Sequence, residues 1–222
     1  MLRNVDMNEI SDGKLYTAND LVKADCQDCA GCSHCCQGMG NSVVLDPLDI
    51  YRLTAGLNRT FEELLEKELE LNVVDGMILP NLKMIGEKEV CAFLNEQGRC
   101  RIHPLRPGMC RLFPLGRFYE DHGFKYFLQI HECRKENRSK IKVKKWIDTP
   151  DLKENEQFIL DWHYFLKNLQ EDFQEDSDPE RMKLVNLYVM RLFFQRPYRS
   201  EESFYPQFYE RLERAKRDLS GS

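Results

Sequence analysis

The stretch Cys26-Gln-Asp-Cys29-Ala-Gly-Cys32-Ser-His-Cys35-Cys36 decides how the rest of the chain is read. Five cysteines fall within eleven residues, and four more follow singly at Cys91, Cys100, Cys110 and Cys133. Packing gains nothing from so many thiols side by side. Thiolates at two-residue intervals, by contrast, form a comb that clasps a soft metal ion or a cluster.

The comb reads in two overlapping registers. Cys26, Cys29, Cys32 and Cys36 follow C-x2-C-x2-C-x3-C, the spacing bacterial ferredoxins use, although Gln37 stands where those proteins have proline. Cys29, Cys32, Cys35 and Cys36 follow C-x2-C-x2-C-C instead. On an extended chain the adjacent Cys35 and Cys36 would point to opposite faces and would not easily clasp one tetrahedral ion. That expectation favours a cluster, or two metal sites sharing the loop.

At 222 residues, with 42% apolar, the chain is long enough to bury a core. The opening Met1–Ile10 lacks the apolar stretch of a signal peptide, and no run approaches the roughly 18 apolar residues of a membrane span. The expectation is a cytoplasmic protein without a membrane role. In a reducing compartment dense cysteine means metal or redox chemistry rather than disulfides, and the odd count of nine agrees. A net charge of −5 argues against general attraction to nucleic acid. One local exception, Arg134 to Lys145, carries seven cations against Glu136. It reads as a solvated linker or an edge strand whose lysines discourage further pairing, with an acidic partner, RNA or a phosphate as the alternative.

Local signals divide the chain. Val43–Leu45 is expected to be a short strand. Asp46-Pro47 should start a helix ending near Gly56, and Thr60-Phe61-Glu62-Glu63 is a capping box for a second helix reaching about Leu71. Val90–Leu94 and Arg99–Ile102 read as hairpin arms bearing Cys91 and Cys100, and Gly116–Tyr119 with Phe124–Ile130 as another hairpin. Beyond Trp146 there is no cysteine. Phe158, Trp162, Phe165, Leu169 and Phe173 keep helical spacing, Asp178-Pro179 caps a further helix, and Ser200 is expected to cap a last one. These aromatic stripes are expected to be core rather than a substrate groove. The fold class expected is α+β: residues 1–20 an extension, 21–145 an irregular cysteine-rich metal domain with short β-hairpins and flanking helices, and 146–222 an α-helical C-terminal region.

Cys91-Ala-Phe-Leu, Gly98-Arg-Cys100-Arg-Ile102, Arg106-Pro107-Gly-Met-Cys110-Arg111-Leu-Phe113-Pro114 and the later Cys133 complete a pattern with the comb. Together they resemble the YkgJ-type cysteine-cluster family of zinc- or iron-chelating domains over roughly Cys26 to Arg134. The resemblance implies Cys29, Cys32, Cys35, Cys36, Cys91, Cys100, Cys110 and Cys133 as metal ligands. Cys26 lies outside that pattern, as a spare ligand, a redox thiol or a packed residue. A related cluster in flagellin lysine methylases keeps a protein-modifying activity open by analogy.

Eight thiolates around two divalent ions would leave a net charge of about −4, whereas a cluster built on inorganic sulfide needs only four of them. One iron–sulfur cluster with a structural zinc, or two clusters, fits as well as two zinc ions, and the ferredoxin-like run Cys26–Cys36 favours iron–sulfur. Arg106 and Arg111 are candidates to hydrogen-bond sulfur and offset charge, or to form salt bridges elsewhere. His34 and His131 could complete a three-cysteine, one-histidine site. No nucleotide-binding or hydrolase motif is present, and whether the chain catalyses a reaction stays open. The functions expected are redox, sensing or metal-carrying, with an enzyme acting on protein side chains and a zinc-stapled interaction module as alternatives. The partner is expected to be a protein of unknown identity.

Overall fold

The computed structural model describes residues 6–219 except 28, 30 and 122. Parts of the expected N-terminal extension and C-terminal region, and His122 of the expected second hairpin turn, therefore lie outside the described residues. In chain order the elements are α1 (Met7–Ile10), β1 (Leu21–Asp25), α2 (Pro47–Leu57), α3 (Phe61–Lys67), β2 (Leu69–Val74), β3 (Met77–Leu82), β4 (Met84–Ile85) and β5 (Val90–Cys91). There follow α4 (Gly108–Leu112), β6 (Leu115–Glu120), β7 (Gly123–Leu128), β8 (Ser139–Lys142), α5 (Val143–Ile147), α6 (Leu152–Glu175), α7 (Pro179–Met190) and α8 (Phe204–Leu219). The strands form antiparallel pairs, β1 with β8, β2 with β3, β4 with β5 and β6 with β7, so the architecture is α+β with a helical C-terminal region. Among the described residues no helix is long and apolar enough to cross a membrane.

The chain forms two compact units that interleave in sequence. One comprises residues 41–83 and 161–222, the other 2–40 and 84–160.

The first unit is held by helix caps and aromatic packing. Asp46 accepts from the Asp49 backbone N–H at 2.9 Å and Asp49 accepts in return from Asp46, while Pro47 needs no donor at the first helical position. The helix runs past Gly56 and stops where Asn58 turns left-handed, φ 51°. Asn tolerates that conformation through its short polar side chain. Thr60 and Glu63 form the second capping box as expected. Its helix ends at Lys67 rather than Leu71, because Leu69, Leu71 and Val73 alternate as a strand and pair with β3 around the Asp75-Gly76 turn. Val44 bridges Asn81 beside β3, and Leu45 donates to the Pro80 carbonyl.

The expected aromatic stripes are core. Trp162 packs on Phe165, Phe193, Phe194 and Phe208 with ring centroids 4.9–6.1 Å apart. Asp178 caps α7, but α8 begins at Phe204, later than the Ser200 expected to cap it. Between α7 and α8 lies a single π-helical turn, Arg191–Gln195. Buried Arg211 ties it to the segment that follows: it donates to the carbonyls of Leu192 in the turn and of Arg196 and Pro197 beyond it at 2.7–2.8 Å, and lies 3.5 Å over the Tyr198 ring.

In the second unit β1, the β6–β7 hairpin, α4 and α5 enclose a core of Val22, Ala24, Cys26, Leu112, Leu115, Tyr126, Leu128, Val143 and Trp146. Tyr16 and Tyr126 exchange backbone hydrogen bonds at 2.7 and 2.8 Å, and the Trp146 indole donates to the Phe113 carbonyl at 3.1 Å. The lysine-rich segment supplies β8, whose Ser139, Lys140 and Lys142 are exposed. It is a strand of a two-stranded sheet, where lysines discourage further pairing.

Arg211→Leu is expected to destabilise the first unit by about 3 kcal/mol, because it strands three carbonyls and a large aromatic partner. Removing the Asp46 cap by Asp46→Ala should cost only about 1 kcal/mol. Urea unfolding of the two variants checks the order; equal losses would show that Arg211 is not the linchpin of the π-helical turn.

Candidate metal centre

The centre begins with strand periodicity. Along β1 the side chains of Val22 and Ala24 face the core, and the next position of that alternation is Cys26, 7% exposed. Gln27 and Cys29 then adopt positive φ, 56° and 57°, and fold the chain back so that Cys32 donates its N–H to the Cys29 carbonyl at 3.0 Å. That bond closes the second C-x2-C, Cys29 to Cys32, while in the first the sulfurs of Cys26 and Cys29 lie 3.7 Å apart.

His34–Cys36 then form a 3-10 turn. The extended geometry expected for Cys35 and Cys36 is therefore replaced by a helical one, in which neighbouring side chains diverge less. Cys29 is hydrogen-bonded to Cys35 as well as to Cys26, and Cys35 to Cys36, so four comb thiols form one chain of sulfur contacts. Its hydrogen bond to Cys35, and then burial, push the Cys29 thiol well above the ordinary range. Cys35 is drawn down by Cys29 but raised, to about 12, by Cys36 and by burial.

One pocket gathers these groups. Cys26, Cys29, Cys32, His34, Cys35 and Cys133 line it, with Phe113, Pro114 and Trp146 as an apolar wall and Glu132, Arg134 and Lys135 also lining it. Cys133 lines the pocket with the comb although nearly a hundred residues separate it from Cys36. His131 is exposed and does not line the pocket.

Cys91 and Cys100 form a second group. The expected hairpin is present in shorter form: Leu94 bridges Cys100 and Asn95 accepts from Gly98, while Val90–Cys91 pairs with Met84–Ile85. Burial is the main cause that raises both thiols, and Cys100 stands close enough to oppose ionisation of Cys91. This hairpin is stitched to the comb. Gln37 bridges Val90, Gly38 donates to Glu89 at 3.0 Å, and Arg99 donates to the Cys29 carbonyl at 2.8 Å. A methyl group at Gly98 would already touch Ser33, 3.5 Å away. Cys110 lies on α4, partly buried and outside the pocket lining.

Cations surround the thiols. The Arg106 guanidinium favours the thiolate of both Cys29 and Cys100, joined at Cys100 by Arg99 and Arg101. Arg111 acts elsewhere. Buried at 8% exposure, it donates to the Arg106, Asp148 and Pro104 carbonyls and so fixes the loop before α4 and the end of α5. Of the two arginines read as partners for sulfur, one faces thiols and the other braces backbone. Arg99 was not among the candidates; its position just before Cys100 was the available signal.

These donors fit a soft metal by type and surroundings, being thiols and one imidazole around a partly shielded pocket with cations to offset thiolate charge. Among the described residues no three His, Cys, Asp or Glu side chains stand close enough together to hold an ion as they are placed. The Cys26–Cys29 pair is the portion already at chelating distance: two sulfurs on a tetrahedral ion, each about 2.3 Å from it, lie about 3.8 Å apart.

No curated protein and no solved structure matches the chain significantly. A family model does: the CxxCxxCC model, described as a putative zinc- or iron-chelating domain, matches residues 28–149. That segment holds eight of the nine cysteines and more than half of the chain. With the comb, the Cys91–Cys100 hairpin, Cys110 and Cys133 all inside the match, this chain belongs to the CxxCxxCC family of zinc- or iron-chelating domains.

Proposed function

We propose that this chain is a thiolate metalloprotein with a redox, sensing or metal-carrying role, in which the comb pocket holds an iron–sulfur cluster. The observation that carries it is the meeting of five cysteine side chains and His34 on one pocket. Cys29, Cys32, Cys35 and Cys133 would hold the metal there, with Cys36, in contact with Cys35 but outside the pocket lining, as a further ligand. Cys91 and Cys100, stitched to the comb, with Cys110, would serve the same centre or a second one.

When bound, a cluster supplies one-electron transfer at a potential set by net charge, hydrogen bonds to sulfur and exposure. The chain's own residues supply those controls. Arg106 and Arg99 lower the negative charge at Cys29 and Cys100, while Phe113, Pro114 and Trp146 keep water from one side of the pocket. A tetrahedral zinc ion is the second reading: the 3.7 Å Cys26–Cys29 separation suits two thiolates on one tetrahedral metal, as in a zinc site or on one iron of a two-iron cluster, whereas a four-iron cluster places each thiolate on a different iron.

Strictly anaerobic purification followed by iron, sulfide and zinc analysis and a visible spectrum separates the readings. Brown protein with iron and sulfide in equal amounts supports the cluster. Colourless protein carrying only zinc would replace it with the zinc site.

All nine cysteines fall in the unit of residues 2–40 and 84–160. Structural thiolate sites contribute binding free energy of order 10 kcal/mol to folding. Chelation is therefore expected to speed amide hydrogen exchange in that unit and to leave residues 41–83 and 161–219 largely unchanged. Uniform loosening of both units would contradict the assignment.

The thiol shifts give a pH dependence of definite sign. Cys26, Cys29, Cys35, Cys91 and Cys100 all titrate above the ordinary thiol value of about 8.5 in the metal-free fold. The fold thus favours their protonated forms. That stabilisation is complete below about pH 8.5 and is lost as pH rises through the folded values. Metal-free protein should unfold at lower urea concentration at about pH 9.5 than at about pH 7.5, whereas metal-loaded protein, its ligands already deprotonated, should not follow. Parallel behaviour of the two forms would argue against thiolate ligation.

A further inference from the structure

We infer that Cys26, which precedes the family match, is a metal ligand that acts as a pair with Cys29. This rests on the metal-centre reading above and adds one donor to it. Three observations converge. Cys26 occupies the inward position that follows Val22 and Ala24, so its thiol is carried by the framework of the core and not by a mobile loop. Its sulfur is 3.7 Å from that of Cys29, the separation two thiolates adopt on one tetrahedral ion. It also lines the pocket together with Cys32, Cys35 and Cys133.

The turn between them has the form the function requires. A C-x2-C segment brings two sulfurs together only if the chain reverses tightly, and the positive φ of Gln27 and Cys29 accomplishes that at two non-glycine residues. Such strain persists where the surroundings over-determine it and is commonest at ligand-holding sites. The Arg99 and Cys32 hydrogen bonds to the Cys29 carbonyl fix the backbone at Cys29, the far end of the pair. Cys26 is then the first tooth of the comb, ahead of Cys29, Cys32 and Cys35, and the C-x2-C-x2-C-C segment is the remainder of a longer chelating run.

The test compares full-length wild type with Cys26→Val, Cys26→His and Cys29→Ala, loaded with zinc or with cobalt(II) as a spectroscopic probe. Valine keeps the apolar packing of Cys26 and removes the donor, whereas histidine is a worse fit to the core and remains a ligand. The expected result is zinc affinity weakened roughly tenfold or more in Cys26→Val. Its thiolate-to-cobalt charge-transfer band should drop by about a quarter, one sulfur of four. Cys26→His should recover affinity with an altered cobalt spectrum. Wild-type affinity and spectrum in Cys26→Val, with metal lost only in Cys29→Ala, would overturn the assignment of Cys26 and leave the metal centre standing. Loss in both Cys26 variants alike would mark Cys26 as packing and also overturn it. Wild type that takes up neither ion, nor iron with sulfide, would remove the metal reading itself.

Discussion

Several thiols can be held together only if their charge, once ionised, is balanced, and this requirement organises the cysteine-bearing unit. Without metal, neighbouring sulfurs keep one another protonated, as the raised Cys29 and Cys35 show. With metal, the thiolates need the positive charge of the ion and of nearby guanidinium groups. Arg106 between Cys29 and Cys100, and Arg99 anchored on the Cys29 carbonyl, place that charge where the comb and the second hairpin approach each other. The backbone bridges Gln37–Val90 and Gly38–Glu89 then fix how near they come.

The other unit obeys a different logic. Its aromatic rings, capping boxes and the Arg211 lock at the π-helical turn are complete without thiols, and its stability is a matter of apolar burial and satisfied carbonyls. Metal dependence should therefore be confined to one unit of the chain. Each unit is assembled from two sequence segments, and the border within the long helix α6 falls after Leu160.

Family membership and residue geometry speak to different questions. The match places the chain in a family described by zinc or iron chelation and leaves the choice of ion, and any reaction, to chemistry at the site. That chemistry is mixed. The ferredoxin-like spacing favours a cluster, while the 3.7 Å sulfur pair has the metric of a single tetrahedral ion.

The sequence by itself determined the α+β class, the helix starts at Asp46, Thr60 and Asp178, the β6–β7 hairpin and the buried aromatic stripes, because caps, turns and periodicity act within a few residues. It also pointed to the comb as the chemical centre. It misplaced the end of α3, where Leu69, Leu71 and Val73 suit a strand once β3 is available to pair, and the start of α8. Tertiary structure alone decided that Arg111 braces backbone while Arg106 faces thiols, that His34 and not His131 lines the pocket, and that Cys133 joins the comb. It also placed Cys26 against Cys29. Spacing states which thiols share a segment, but a shared pocket depends on how strands, turns and distant loops close around it, and no local rule contains that information.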